Sequence, residues 1–181
     1  MRDHIEAARN GDMDAFRALV ELNQRRLVGL AFGIVRNRED AEDLVQEALV
    51  RAWRSLANFD GRSQFSTWLY RIVVNVCIDH LRRRRLETLS LDEHRGASID
   101  PRNSLAGAGL RDRLSRALDE LSPAHRAVLT LREVEGLSYK EIAVAVGCSL
   151  GTVMSRLFHA RRRMQMLLID DAKDLAIAIA A

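Results

Sequence analysis

The chain has 181 residues, 48% hydrophobic and 29% charged, with a formal net charge of +3 and a pI near 9.3. These proportions exclude a disordered chain, and no apolar run reaches the ~20 residues that a transmembrane helix needs. Cys77 and Cys148 lie far apart and exclude a disulfide framework; with a charged N-terminus that does not read as a signal peptide, they fit a reduced, cytoplasmic compartment. Two prolines and few β-branched runs predict an all-α protein. The mild net charge means that any nucleic-acid surface must come from clustering of cations.

Residues 2–10 suit a short helix ending near Gly11, and Asp12 is a good N-cap for a longer one through about Val35. Phe16, Leu19, Val20, Leu27, Leu30, Ala31 and Ile34 give that helix its apolar stripe. After a break at Arg36-Asn37, residues 38–56 read as a strong amphipathic helix with Ala41, Leu44, Val45, Ala48, Leu49, Ala52 and Leu56 inward. Its acidic first turn complements the helix dipole. The outer face carries Asp43, Gln46, Glu47, Val50 and Arg54. A charged stripe is ordinarily a solvated face. Val50 among charges and acceptors also suits a docking surface, and both readings stand.

Residues 58–63 are a loop by composition, and a helix over residues 64–85 follows. Phe65, Trp68, Leu69, Ile72, Val73, Val76 and Leu81 make most of this helix apolar. One narrow polar stripe remains, with Gln64, Arg71, Asn75 and Arg82 along it and Asp79 at its edge. A helix otherwise buried suggests that its single polar stripe is used. The four arginines at 82–85 either form a solvated helix end or bind phosphates. Aromatic rings beside a basic stripe suit unpaired bases; Phe65 and Trp68 read as core, which leaves Phe59 as the freer ring. Cys77 and His80 have half-site spacing for zinc but no second pair, so a buried thiol and a surface imidazole are expected and no metal.

Residues 87–109 hold Pro101, three glycines, several serines and the acids Glu87, Asp92, Glu93 and Asp100, a composition that predicts a flexible linker. Beyond it Leu110, Leu114, Ala117, Leu118 and Leu121 form an amphipathic pattern. Ser122-Pro123 opens the next helix as cap and first residue, with Val128, Leu129 and Leu131 on its apolar side and Gly136 beyond its end.

The stretch from Leu137 to Met164 reads as two short helices around a tight turn. Ile142, Ala143 and Val146 share a face, Gly147 suits a left-handed helix end, and Ser149 caps the second helix. In that helix Val153, Leu157, Ala160 and Met164 face inward. The other side carries Gly151, Thr152, Ser155, Phe158, His159 and Arg162. Hydroxyls and arginine can hydrogen-bond base edges in a major groove, and an apolar ring can touch a thymine methyl. Arg156, Arg161 and Arg163 flank this face for phosphates. The pattern is a helix-turn-helix with its second helix as reader.

Three segments together resemble a known family: DAEDLVQEALVRAW at 40–53, FSTWLYRIVVNVCIDHLRR at 65–83, and LSPAHRAVLTLREVEGLSYKEIAVAVGCSLGTVMSRLFHARRRM at 121–164. The chain is similar to bacterial RNA polymerase sigma factors of the extracytoplasmic-function group. The resemblance implies a region 2-like domain over 1–86, a linker over 87–109, a region 4-like domain over 110–166 and a C-terminal tail over 167–181. It implies that Asp43, Gln46, Glu47 and Val50 dock on the β′ clamp coiled coil of core polymerase. Phe59, Asp60, Ser63 and Phe65 would lie near the pocket for a flipped base of the −10 element, with Arg71, Asn75, Asp79, Arg82 and Arg83 along the next helix. Gly151, Thr152, Ser155, Arg156, Phe158, His159 and Arg162 would read the −35 element, while the same domain touches the β flap. The acidic linker would thread toward the RNA path, and an anti-sigma factor is an expected partner.

The sequence departs from the family pattern at Met154 and His159, where cations are usual, so bidentate guanine readout is not expected there. No local motif sets out a nucleophile, base and orienter or a phosphate loop, so no enzyme and no cofactor is expected. A stand-alone helix-turn-helix regulator is the alternative. It needs a dimer interface to read a palindrome and leaves residues 40–85 without a role. A recombinase would need an activated Ser or Tyr, and Tyr70 and Tyr139 lack such surroundings. An adaptor that mimics a sigma factor would not need DNA-reading residues in both domains.

Overall fold

The computed structural model describes residues 2–92 and 109–180, and the side chains of 3–88 and 109–169. Eight α-helices and no strand occur among the described residues: α1 Arg2–Arg9, α2 Met13–Val35, α3 Arg38–Ser55, α4 Phe65–Asp92, α5 Leu110–Asp119, α6 Pro123–Glu133, α7 Tyr139–Val146 and α8 Leu150–Ala180.

Local chemistry sets the boundaries. The Asp12 carboxylate accepts from the backbone N–H groups of Asp14 and Ala15 at 2.9 and 3.0 Å, which fixes the start of α2. The end of α2 is made by Arg36, a non-glycine residue in the left-handed region with φ 64°. Asn37 then caps α3 by accepting from the N–H of Asp40 at 3.0 Å. A 3-10 turn over Leu56–Asn58 closes α3 and turns the chain toward α4.

α2, α3 and α4 pack against one another, with α1 laid on α2. Leu19, Leu27, Leu30, Ile34, Val45, Leu56, Leu69 and Val73 fill their core. Each was on the apolar stripe read from the sequence. The second unit is α5 to α8, centred on Leu131, Ile142, Val153, Leu157 and Ala160.

The two helical units are docked on each other, which no periodicity foretold. α6 lies along α2, and α7 along α4. Gly33 faces Thr130 so closely that a Cβ there would stand 2.6 Å from the threonine hydroxyl oxygen. The phenol of Tyr70, almost fully buried, donates to the Glu135 carboxylate at 2.7 Å. Burial first, and then that carboxylate, push the phenol well above its ordinary pKa, so it remains a donor. Arg36 donates to Asp119 at 2.8 Å and to the Ser115 carbonyl and hydroxyl. The left-handed residue that ends α2 thus also ties the first unit to the second.

Two expectations need correction. α4 continues through Asp92, so residues 87–92 are helical rather than linker; no glycine or proline interrupts the chain before Gly96. The remaining linker residues 93–108, with their acids, lie outside the described residues. Leu110 and Leu114 are exposed, at 62% and 38%, instead of facing inward.

Candidate nucleic-acid interface

The hairpin that carries the reader helix is built by its caps. Ser138 accepts from the N–H of Glu141, and the Glu141 carboxylate accepts from the N–H of Ser138 at 2.8 Å, a reciprocal capping box at the start of α7. The Ser138 hydroxyl and backbone N–H together hold the Glu141 carboxyl below its ordinary pKa. Gly147 ends α7 at φ 64°, where a side chain would be strained. The Ser149 hydroxyl oxygen then accepts from the N–H of Thr152 at 3.1 Å and opens α8.

In α8, Val153, Leu157 and Ala160 are buried and Met164 half-buried. Gly151, Ser155, Phe158, His159 and Arg162 are exposed, and Thr152 and Arg156 half-buried, so the proposed reading face is open in the docked arrangement. Phe158 is 60% exposed, with its ring edge-on to His159 at 5.4 Å. Met154 is 53% exposed beside them. The flanking arginines are not equivalent. Arg161 turns back to α6 and donates to Glu133 at 2.6 and 3.1 Å, which corrects its assignment to phosphates. Arg163 reaches Glu120 at 3.4 Å, and Arg156 lies near the Cys148 thiol.

The other face lies on α4 and the loop before it. Arg71, Asn75, Asp79, Arg82 and Arg83 are all exposed, while Leu69, Tyr70, Val73, Val74, Val76 and Cys77 are buried. The narrow polar stripe is therefore the solvent side of a helix covered elsewhere by α2, α3 and α7. Burial pushes the Cys77 thiol up to about 12, so it packs as a small apolar group. Among the described residues no group of three or more His, Cys, Asp or Glu is arranged to hold a metal ion.

Phe59 is not the free ring expected of a loop residue. It is 5% exposed and meets Phe65 edge-on at 5.7 Å and Trp68 at 5.3 Å. The 3-10 turn directs the ring back under the loop, where the three rings form one cluster. Asp60 is exposed and Ser63 half-exposed above that floor. Asp60 accepts from the N–H of Arg62 at 3.0 Å and pairs with its guanidinium at 3.1 Å.

On α3, Asp43, Gln46 and Val50 are exposed and Glu47, half-buried, pairs with Arg51 at 2.5 Å. Gln46 borders a groove between α2 and α3, whose far wall holds Val28 and Phe32. Phe32 is 40% exposed, with the Arg36 guanidinium 5.1 Å above its ring. It lies off the inward stripe of α2, so the sequence reading passed over it.

The sequence reading also missed an apolar groove of about 1080 Å³ on the second unit, bounded by Leu114, Leu118, Leu129, Val134, Met164 and Leu168. Val134 is 70% exposed at its rim. The signal was present in the surplus leucines of residues 110–118, which the single inward stripe did not require.

Comparison with known proteins agrees with this layout. Residues 19–87 match the model of sigma-70 region 2, and residues 111–164 match that of sigma-70 region 4. The chain is 37% identical over 176 residues to the RNA polymerase sigma-H factor of Pseudomonas aeruginosa, covering 91% of each chain. It is 38% identical over 169 residues to the ECF RNA polymerase sigma-E factor of Escherichia coli K12, covering 87% of this chain and 88% of that one. Among solved structures, the sigma factor RpoE of Bartonella quintana, crystallised with the anti-sigma factor NepR, superposes with a TM-score of 0.70 at 31% identity, over 84% of this chain and 96% of that one. CnrH, solved with the cytosolic domain of CnrY, superposes with a TM-score of 0.71 at 29% identity, over 94% and 97%.

Proposed function

The chain belongs to the extracytoplasmic-function group of sigma-70 factors, and from that premise we propose how its own residues direct transcription initiation. A sigma factor binds core RNA polymerase and gives it promoter specificity. The polymerase carries the chemistry, and this chain supplies recognition. The observation that carries the reading is the pair of exposed polar faces, one on α4 and one on α8, each on an otherwise apolar helix in a matched unit.

Asp43, Gln46, Glu47 and Val50, with the α2–α3 groove beside them, take the β′ clamp coiled coil. Asp60 and Ser63 over the Phe59–Phe65–Trp68 cluster hold an unpaired −10 base, and Arg71, Asn75, Asp79, Arg82 and Arg83 follow the opened strand. The rings act as a rigid floor beneath that base, since two of them are buried. The α8 face reads the −35 duplex, and the apolar groove on the second unit takes the β flap. Residues 1–92 and 110–166 act as the two recognition domains, and residues 93–109 as the tether between them. The solved relative RpoE is bound to an anti-sigma factor, and this chain has such a partner too.

The docked arrangement bears on this. Promoter elements about 25 base pairs apart are separated by about 85 Å at ~3.4 Å per pair. Two units in direct contact do not reach both elements at once. Residues 93–109, which follow the end of α4, would span about 58 Å if extended at ~3.4 Å each. The docking surfaces of Gly33, Thr130, Tyr70 and Glu135 therefore part when both elements are engaged.

The test is run-off transcription with purified bacterial core polymerase on a promoter library, with and without the protein. Initiation at a defined subset only when the protein is present is the expected result. Specific duplex binding without initiation would instead favour the stand-alone regulator. Asp43→Ala with Gln46→Ala should weaken core binding, and unchanged core affinity would remove the α3 face from the interface. Arg82→Ala with Arg83→Ala should weaken promoter opening and leave core binding intact.

A further inference from the structure

Beside the reading face, between the start of α6 and the middle of α8, lies a cleft of about 480 Å³ bordered by Ser122, His125, His159, Arg162 and Arg163. The two imidazoles come from different helices and stand 6.5 Å apart, centre to centre, at 57°. His125 Nδ1 and the Ser122 hydroxyl are 2.9 Å apart. The charged groups around the pair are Arg156, Arg162 and Arg163 on α8 and Glu120 before α6; Glu120 is already paired with Arg163 at 3.4 Å. His125 also sits in the first turn of α6, where the helix dipole opposes a positive charge. Partial burial, then His159 and Arg156, hold its pKa below the ordinary histidine value.

This is a cavity rich in cations and hydrogen-bond donors, next to a face read here as major-groove binding. An anion entering it meets Arg162 and both rings, and it offsets the repulsion that His159 and Arg156 exert on a positive charge at His125. We propose that the cleft seats a backbone phosphate of the −35 duplex, and that His125 takes up a proton from solvent as it enters, so that duplex affinity rises as pH falls. The inference rests on the −35 reading of α8. It goes beyond that reading by adding α6 to the DNA contact and by making the contact proton-linked. His125 was not a candidate in the sequence, because it lies 34 positions before His159 and outside the helix-turn-helix.

The experiment is fluorescence anisotropy of the full chain on the −35 duplex identified by run-off transcription, from about pH 8 to pH 6 at constant ionic strength. The reading face is exposed in the docked arrangement, so the full chain serves. Each proton taken up on binding raises the association constant about tenfold per pH unit within its window. The wild type should gain roughly three- to tenfold over that range for a partial uptake of this kind. His125→Gln should lose much of that slope, and His125→Gln with His159→Gln should be flat. With wild-type protein, a methylphosphonate placed at one backbone position should abolish the pH dependence while other positions leave it. Specific binding that is flat with pH in the wild type would overturn the inference and spare the −35 reading. A slope retained in the double variant, or untouched by every methylphosphonate, would overturn it as well. If millimolar inorganic phosphate alone shifts both imidazole NMR signals and abolishes the slope, the cleft is a free-phosphate site and the DNA assignment falls. Absence of specific binding at every pH would overturn both readings together.

Discussion

The two units of this molecule are held together by different physics. The first is three long helices around a core of large aliphatic side chains, with Leu19, Leu27, Leu30, Ile34 and Leu69 at 1% exposure or less. The second sets three short helices, α5 to α7, against α8, and much of its definition comes from helix ends: Ser122, the Ser138–Glu141 box, Gly147 and Ser149. It also leaves an apolar groove open and rests one side on the first unit. A DNA-reading face can thus be carried in two ways. α4 shows a narrow stripe on a helix gripped almost all round, whereas α8 shows a broad face on a helix held along one side and oriented by the turn before it.

The comparison can be broken most strongly from the first core. Leu30→Ala should cost about 2–5 kcal/mol, since the residue is fully buried among rigid helices. Urea titration followed by circular dichroism measures it, and a loss below 1 kcal/mol (about the cost of one methylene) would show that the site collapses around the void. Gly33→Val comes next. It drives a side chain into Thr130 and should cost about 1–3 kcal/mol of docking. The expected signature is one unfolding transition splitting into two; a single cooperative transition would mean that the docking adapts. Ser138→Ala should cost about 1 kcal/mol and act on the second unit alone.

The same capping box has a pH signature. Glu141 has a depressed folded-state pKa, so its contribution is fully present above the unfolded value of about 4.3 and is lost as pH falls through the lower folded value. Stability of the second unit should therefore fall more steeply below pH ~4 in the wild type than in Ser138→Ala. Parallel acid titrations of the two proteins would reject the box as the cause. The smallest stability effect belongs to the recognition stripe. Arg82→Ala with Arg83→Ala should stay within about 0.5 kcal/mol of wild type, because both side chains are exposed. Differential scanning calorimetry then separates the expected loss of promoter opening from any loss of fold.

Much of this was legible in the chain. The helix starts at Asp12, Asn37-Arg38, Ser122 and Ser149 follow from side chains that satisfy free N–H groups, and the buried stripes of α2, α3 and α8 follow from period 3.6. Phe59 was misplaced because a loop position says nothing about which way a turn sends its ring. Arg161 was misplaced because adjacent arginines look alike until Glu133 on another helix claims one of them. His125 and the apolar groove escaped for a related reason. Each is completed by residues from helices distant in sequence.

What the sequence determined by itself was local: an all-α chain, its caps and stripes, and two polar faces of helix that burial did not need. Backbone hydrogen bonding and the hydrophobic period act over a few residues, so they can be read in order along the chain. Tertiary structure alone decided that the units dock through Gly33, Tyr70 and Arg36, that three rings form a floor beneath the loop, and that two histidines meet beside the reading face. Those outcomes depend on which surfaces of separate helices fit, and shape complementarity and ion pairing across the fold carry no period that a sequence displays.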